Sequence, residues 1–139
     1  MSGKDHKVAA LLEGVETGPH DPHFAGYFRC FNEQKFYEAH DVLEALWLQD
    51  RNGPDGDFFK GLIQFAGAFV HLQKKRQRPA WKLFRLCTIY LAKYPSPHLE
   101  LDVANVLRLA KRWGEDAQIL GSEGDLLAEQ SPPIIRLQI

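Results

Sequence analysis

His40 and Glu44 stand four residues apart, and Gln64 and His71 seven apart, within stretches of otherwise apolar helical periodicity. Four residues is about one helical turn, so His40 and Glu44 are neighbours on one helix surface, beside Trp47. Imidazole nitrogens and a carboxylate are suitable ligands for a divalent transition metal, and helical bundles build such sites from inward side chains on facing helices. Gln64 and His71 lie about 10.5 Å apart along a helix axis, too far to share one ion. A metal set would therefore be His40, Glu44 and His71, with Gln64 as an outer partner. The competing reading is structural. Buried histidine and glutamine side chains need hydrogen-bond partners, and these four can satisfy one another while fixing helix register. Two histidines and one glutamate, without a further carboxylate or the Glu-x-x-His pairs of di-iron bundles, favour that second reading.

The elements that must position these groups are marked by proline. All eight prolines fall outside the stretches with helical periodicity, where a missing backbone donor and a ring clash would break a helix. Strand signals are almost absent. Five helices are predicted, at about residues 22–31, 35–50, 55–76, 79–94 and 99–113, with Asp55 capping the third and Gly114 closing the fifth. Residues 1–21 read as irregular with a weakly helical patch at 8–15, and residues from about 114 as an apolar tail lying along the bundle. Connections this short make neighbouring helices antiparallel, with the second and third as a central hairpin. On the second helix, Phe36, Ala39, Val42, Leu43, Leu46 and Trp47 share an apolar face, while Glu38 and Asp41 point towards water. On the third, Gly61, Gly67 and Ala68 lie near the Gln64/His71 stripe, which reads equally as a lined groove or a solvent-facing strip.

The chain has 139 residues, the usual size of a single domain, and its 17 Lys and Arg against 18 Asp and Glu leave a formal charge of −1. A nucleic-acid binder normally carries a basic excess, so none is expected as a partner. No apolar run approaches the ~20 residues of a membrane span, and no apolar export signal follows the N-terminus. Two cysteines, Cys30 and Cys87, make no staple framework and point to a reducing, cytoplasmic setting. The basic run Lys74-Lys75-Arg76-Gln77-Arg78 reads first as a solvated helix end, where cations complement the helix dipole. His20 and His23 read as loop residues. There is no phosphate loop and no nucleophile elbow.

The segment Phe31-Asn32-Glu33-Gln34-Lys35-Phe36-Tyr37-Glu38-Ala39-His40-Asp41-Val42-Leu43-Glu44-Ala45-Leu46-Trp47 resembles the signature of a family of small helical prokaryotic proteins, domain of unknown function 309. Phe58-Phe59-Lys60-Gly61-Leu62-Ile63-Gln64-Phe65-Ala66, with Ala68 and His71-Leu72, resembles its second signature. The resemblance covers about residues 28–91 and implies an all-α bundle with no established reaction. Members usually carry glycine where Gln34, Lys75 and Pro79 stand, glutamine at Lys60, and an arginine near Gly56. That arginine would be a natural partner for a buried carboxylate.

These observations together predict one all-α domain over residues 1–139, a bundle of about five helices. Functionally they favour a non-catalytic module that binds a small ligand or an unknown protein. The alternative is a metal-dependent hydrolase or redox enzyme using His40, Glu44 and His71, its cofactor a divalent transition metal. The fourth predicted helix is apolar around much of its circumference, from Trp81 to Tyr94, so a second subunit making a homodimer is a further expectation.

Overall fold

Proline and capping chemistry set the element boundaries of the computed structural model, which describes residues 3–138. The chain forms α1 (Gly3–Leu11), α2 (Pro22–Asn32), α3 (Phe36–Gln49), α4 (Gly56–Gln73), α5 (Gln77–Leu91), α6 (Val103–Leu120), a 3-10 turn (Gly121–Glu123) and α7 (Leu126–Glu129). Residues 1, 2 and 139, which belong to the predicted irregular N-terminus and tail, lie outside the described residues. The described chain is all-helical, with seven α-helices rather than five. Its one β-like pairing is an isolated antiparallel bridge between His98 and Leu101.

Helix starts are built as the chemistry requires. Pro22 opens α2, and the Asp21 carboxylate accepts a hydrogen bond from the His23 amide at 2.8 Å. At α6 the Asp102 side chain accepts from the Asn105 amide at 3.0 Å. Asp55 differs from expectation: it precedes α4 but makes no capping bond, because its carboxylate is taken by His98 Nε2 at 2.8 Å.

Two helix ends share one device. After α2, the Lys35 amide donates to the Cys30 carbonyl and Gln34 to Phe31. After α4, Arg76 donates to His71 and Lys75 to Leu72. This double bonding satisfies the last carbonyls only if the residue past the helix turns left-handed. Gln34 (φ 61°) and Lys75 (φ 58°) do so without being glycine.

The core is aromatic and centred on α4. The Phe69 ring meets Phe31 of α2 at 5.4 Å, Phe36 of α3 at 5.0 Å, Phe84 of α5 at 5.2 Å and Trp113 of α6 at 5.0 Å. One ring thus contacts four other helices. Contacts Gln34–Gln73, His40–Gly67 and Trp47–Lys60 fall along α3 as they climb α4 in reverse, so the two helices run in opposite directions. On another side α5 approaches α4 closely: a Cβ on Gly61 would meet the Leu91 side chain at 2.8 Å, and one on Gly67 would meet Leu83 at 3.2 Å. The α4 glycines therefore serve helix approach, not a lined groove.

Three boundaries depart from the sequence reading. The first helix lies at Gly3–Leu11, not 8–15, and α1 packs on α3. Gly114 does not close the fifth predicted helix. It sits buried inside α6, where a Cβ would stand 3.2 Å from Phe84 Cβ, and α6 continues to Leu120. Its start is delayed to Val103 because Leu99 and Glu100 are left-handed (φ 48° and 63°) within the His98–Leu101 bridge. The extended tail consequently begins only after α7. Asn32 holds it by donating to the Ile135 carbonyl and accepting from the Ile135 amide, both at 2.9 Å. Farther along, the Gln138 amide donates to Glu100 at 2.7 Å.

Candidate functional site

The polar groups of α3 gather on the side that α1 covers, with His40 beside Gly67 of α4. His40 Nε2 lies 3.8 Å from Glu44 Oε2, as their spacing requires. Its other nitrogen, Nδ1, is 3.2 Å from Asp41 Oδ1. Asp41 does not point to water: α1 covers it, leaving its side chain 9% exposed. Lys4 of α1 closes the group, its Nζ 2.6 Å from Glu44 Oε1 and 3.6 Å from Asp41 Oδ1. Trp47 sits at the next turn with Lys60 Nζ 4.3 Å from its ring centroid, a cation–π contact linking α3 to α4.

The electrostatics follow from this packing. The bonded Lys4 ammonium holds the Glu44 carboxyl below its usual 4.5 against the opposing effect of burial, with His40, Lys4 and Lys60 adding attraction at longer range. Lys4 is correspondingly raised above 10.5, chiefly by its bond to Glu44. An ionised, ion-paired carboxylate has no proton to give near neutral pH and is a weakened base. The arrangement is better fitted to clasping α1 onto α3 than to acid–base chemistry.

Gln64 and His71 make no hydrogen bond to this group. Gln64 is half-buried and makes no side-chain hydrogen bond among the described residues. His71 is half-buried near the end of α4, and its buried Nδ1 lacks a partner. Burial, with Arg76 and Lys74 nearby, pushes the His71 imidazole below 6.5. Among the described residues no group of three or more His, Cys, Asp and Glu side chains is disposed to hold a metal ion. His40, Glu44 and His71 are thus not brought together as a ligand set.

Sequence reasoning missed Lys4, Asp41 and Lys60. The stripe Lys4, Val8, Leu11 and Leu12 was the available signal for α1, since it puts a cation at the head of an apolar helix face. A second pair of polar contacts also went unread. His98 meets Asp55 while its ring packs edge-on against Phe58 at 4.7 Å, and His20 Nε2 lies 3.3 Å from Glu100 Oε1. The His98–Asp55 bond ties the α5–α6 connection to the bundle, whereas His20 Nε2 lies near Glu100 without a hydrogen bond. His20 is therefore not a free loop residue.

A small all-helical protein whose most prominent polar cluster is closed on itself is the class that fold and site define. Residues 24–83, from α2 into α5, match the family described as Domain of unknown function (DUF309), so the resemblance carried by the two α3 and α4 signatures is shown. No curated protein and no solved structure matches the chain. No helix among the described residues is long and apolar enough to cross a membrane.

Proposed function

We propose that this protein is a non-catalytic interaction module, its His40–Asp41–Glu44 cluster a structural clasp and its partner a protein or small ligand. The observation that carries the reading is Lys4 seated on Glu44 at 2.6 Å, an internal cation where a substrate or metal would otherwise have to bind. The bundle then acts as a rigid scaffold whose outer helix faces do the binding. A cytoplasmic setting is part of the same reading, supported by two buried, unpaired cysteines.

Elemental analysis of protein purified without chelator tests it. Transition metal well below one equivalent per chain is expected, unchanged by His40→Ala. A stoichiometric metal that His40→Ala or His71→Ala removes would overturn the clasp and favour the metal-dependent enzyme.

A further inference from the structure

The chain separates its charges in a way that its net charge conceals. Residues 58–99 contain eight Lys and Arg and no Asp or Glu, although acids outnumber bases in the rest of the chain. This stretch supplies α5, whose outer face is concave where it meets α6. Three depressions of about 190, 360 and 480 Å³ adjoin one another there. The first shares Trp81 with the second, and Thr88 and Lys111 with the third. Together they form one groove from Arg78 to Ala92, about 21 Å long at 1.5 Å per residue.

Its walls have two chemistries. Phe84, Ala110 and Gly114 line the middle, where the missing side chain of Gly114 lets α5 and α6 lie close. Ile89, 51% exposed, and Leu107 line one end. Half-buried Trp81 lines both the middle and the other end. Arg78, Arg85 and Lys111 stand exposed along the groove, and among the described residues none has an ion-pair partner. Glu115 is an acidic group in the lining.

Resting on the interaction-module reading above, we infer that this groove docks an acidic amphipathic helix of a partner protein. Two helices form its walls, so no strand edge is offered, and a helix laid in the groove is the mode that fits. Trp81 and Ile89 are about 12 Å apart along α5, which matches apolar residues two turns apart on the incoming helix. Asp or Glu flanking those residues would meet Arg78, Arg85 and Lys111. A second copy of this chain is the competing occupant, and the oligomeric state of the charge-reversed variant distinguishes the two. Nucleic acid is a poorer occupant, since no exposed aromatic platform accompanies the cations.

The test is selection of displayed helical peptides against the full chain. The library has about 16 residues, with apolar positions fixed two turns apart and flanking positions randomised. Enrichment of Asp and Glu in the flanks is expected. The best synthetic peptide should bind at least about tenfold more weakly to Arg85→Glu/Lys111→Glu and equally to Lys7→Glu, with unchanged melting curves. Flanks without acidic preference, or binding indifferent to the charge reversal, would overturn the proposal. So would a homodimer, or tight binding of a single-stranded RNA probe, that the same reversal abolishes. Peptides mapping to another face would overturn the groove while leaving the module reading intact. Stoichiometric metal at His40 would instead defeat the module reading without touching the groove.

Discussion

Lys4 reaches Glu44 across forty residues of chain and bonds it at 2.6 Å, so the first helix is fastened to the third by an ion pair at the rim of an apolar contact. Lys4 is 47% exposed, which limits the pair to at most about 1 kcal/mol. A double-mutant cycle of Lys4→Ala and Glu44→Gln is expected to give a coupling of about 0.2–1 kcal/mol in low salt, shrinking in ~1 M salt. Glu44 is lowered and Lys4 raised, so the contribution is in force between about pH 4.5 and 10.5. It fades as pH falls through the lowered Glu44 value, and again as pH rises through the raised Lys4 value. Coupling unchanged at pH 3 would refute the assignment.

His40→Ala acts mainly on Asp41. Glu44 keeps Lys4 when the imidazole is removed, whereas nearly buried Asp41 loses the partner at 3.2 Å. A destabilisation of about 1–3 kcal/mol is expected, from a desolvated carboxylate left underpaired. Adding Asp41→Asn should recover part of it, because an amide is less costly to bury than a charge. Urea midpoints of the two variants and their combination measure this, and strict additivity would count against the pairing.

How legible was this in the sequence? The aromatic residues at helical spacing and the prolines located α2 to α5 closely, because local chemistry decides both. Lys4 was hidden, since nothing in its neighbourhood indicates a carboxylate forty residues away. The sequence turns Asp41 towards water for the same reason: a helical wheel finds the face turned to α4, not the second face that α1 covers. Gly114 is ambiguous in sequence because glycine both ends helices and lets them approach, and only the position of Phe84 distinguishes the two. Asp55 and His20 looked like a cap and a loop residue until His98 and Glu100 arrived from the α5–α6 connection.

His71 gives a pH dependence of definite sign. The folded chain holds its imidazole below 6.5, through burial first and then Arg76 and Lys74. The unfolded chain therefore takes up the proton first as pH falls, and stability is lost from about pH 6.5 downward until the folded value is passed. His71→Gln should flatten that part of the stability profile relative to the parent. Equal slopes between pH 7.5 and 5 in denaturant titrations would refute it.

The close approach of α5 to α4 can be tested at Gly61. Alanine there gains about 1 kcal/mol in helix propensity, but its Cβ would stand 2.8 Å from Cγ of fully buried Leu91. Overpacking of this kind costs about 1–3 kcal/mol, so Gly61→Ala should be neutral to destabilising. Gly61→Ala/Leu91→Ala, which removes the Cγ that the new Cβ meets, should melt higher than Leu91→Ala alone. A Gly61→Ala variant that stabilises by itself would show the helices free to separate.

Gln34 and Lys75 carry the converse expectation. Each occupies the left-handed position past a helix, at φ 61° and 58°, where a Cβ is strained by about 1–2 kcal/mol. What they provide is backbone: each amide bonds the preceding helix end, and the Gln34 carbonyl also accepts from Gln73. Both residues are exposed, and glycine keeps every one of these backbone bonds. Against the relief stands the greater freedom that glycine gives the unfolded chain, about 0.5–1 kcal/mol. Gln34→Gly and Lys75→Gly are thus each expected to stabilise by about 0.5–1 kcal/mol. They should also add in combination, because the sites end different helices. Guanidinium midpoints of the single and double variants decide it. A loss of stability at either site would mean that the left-handed turn is not adopted there.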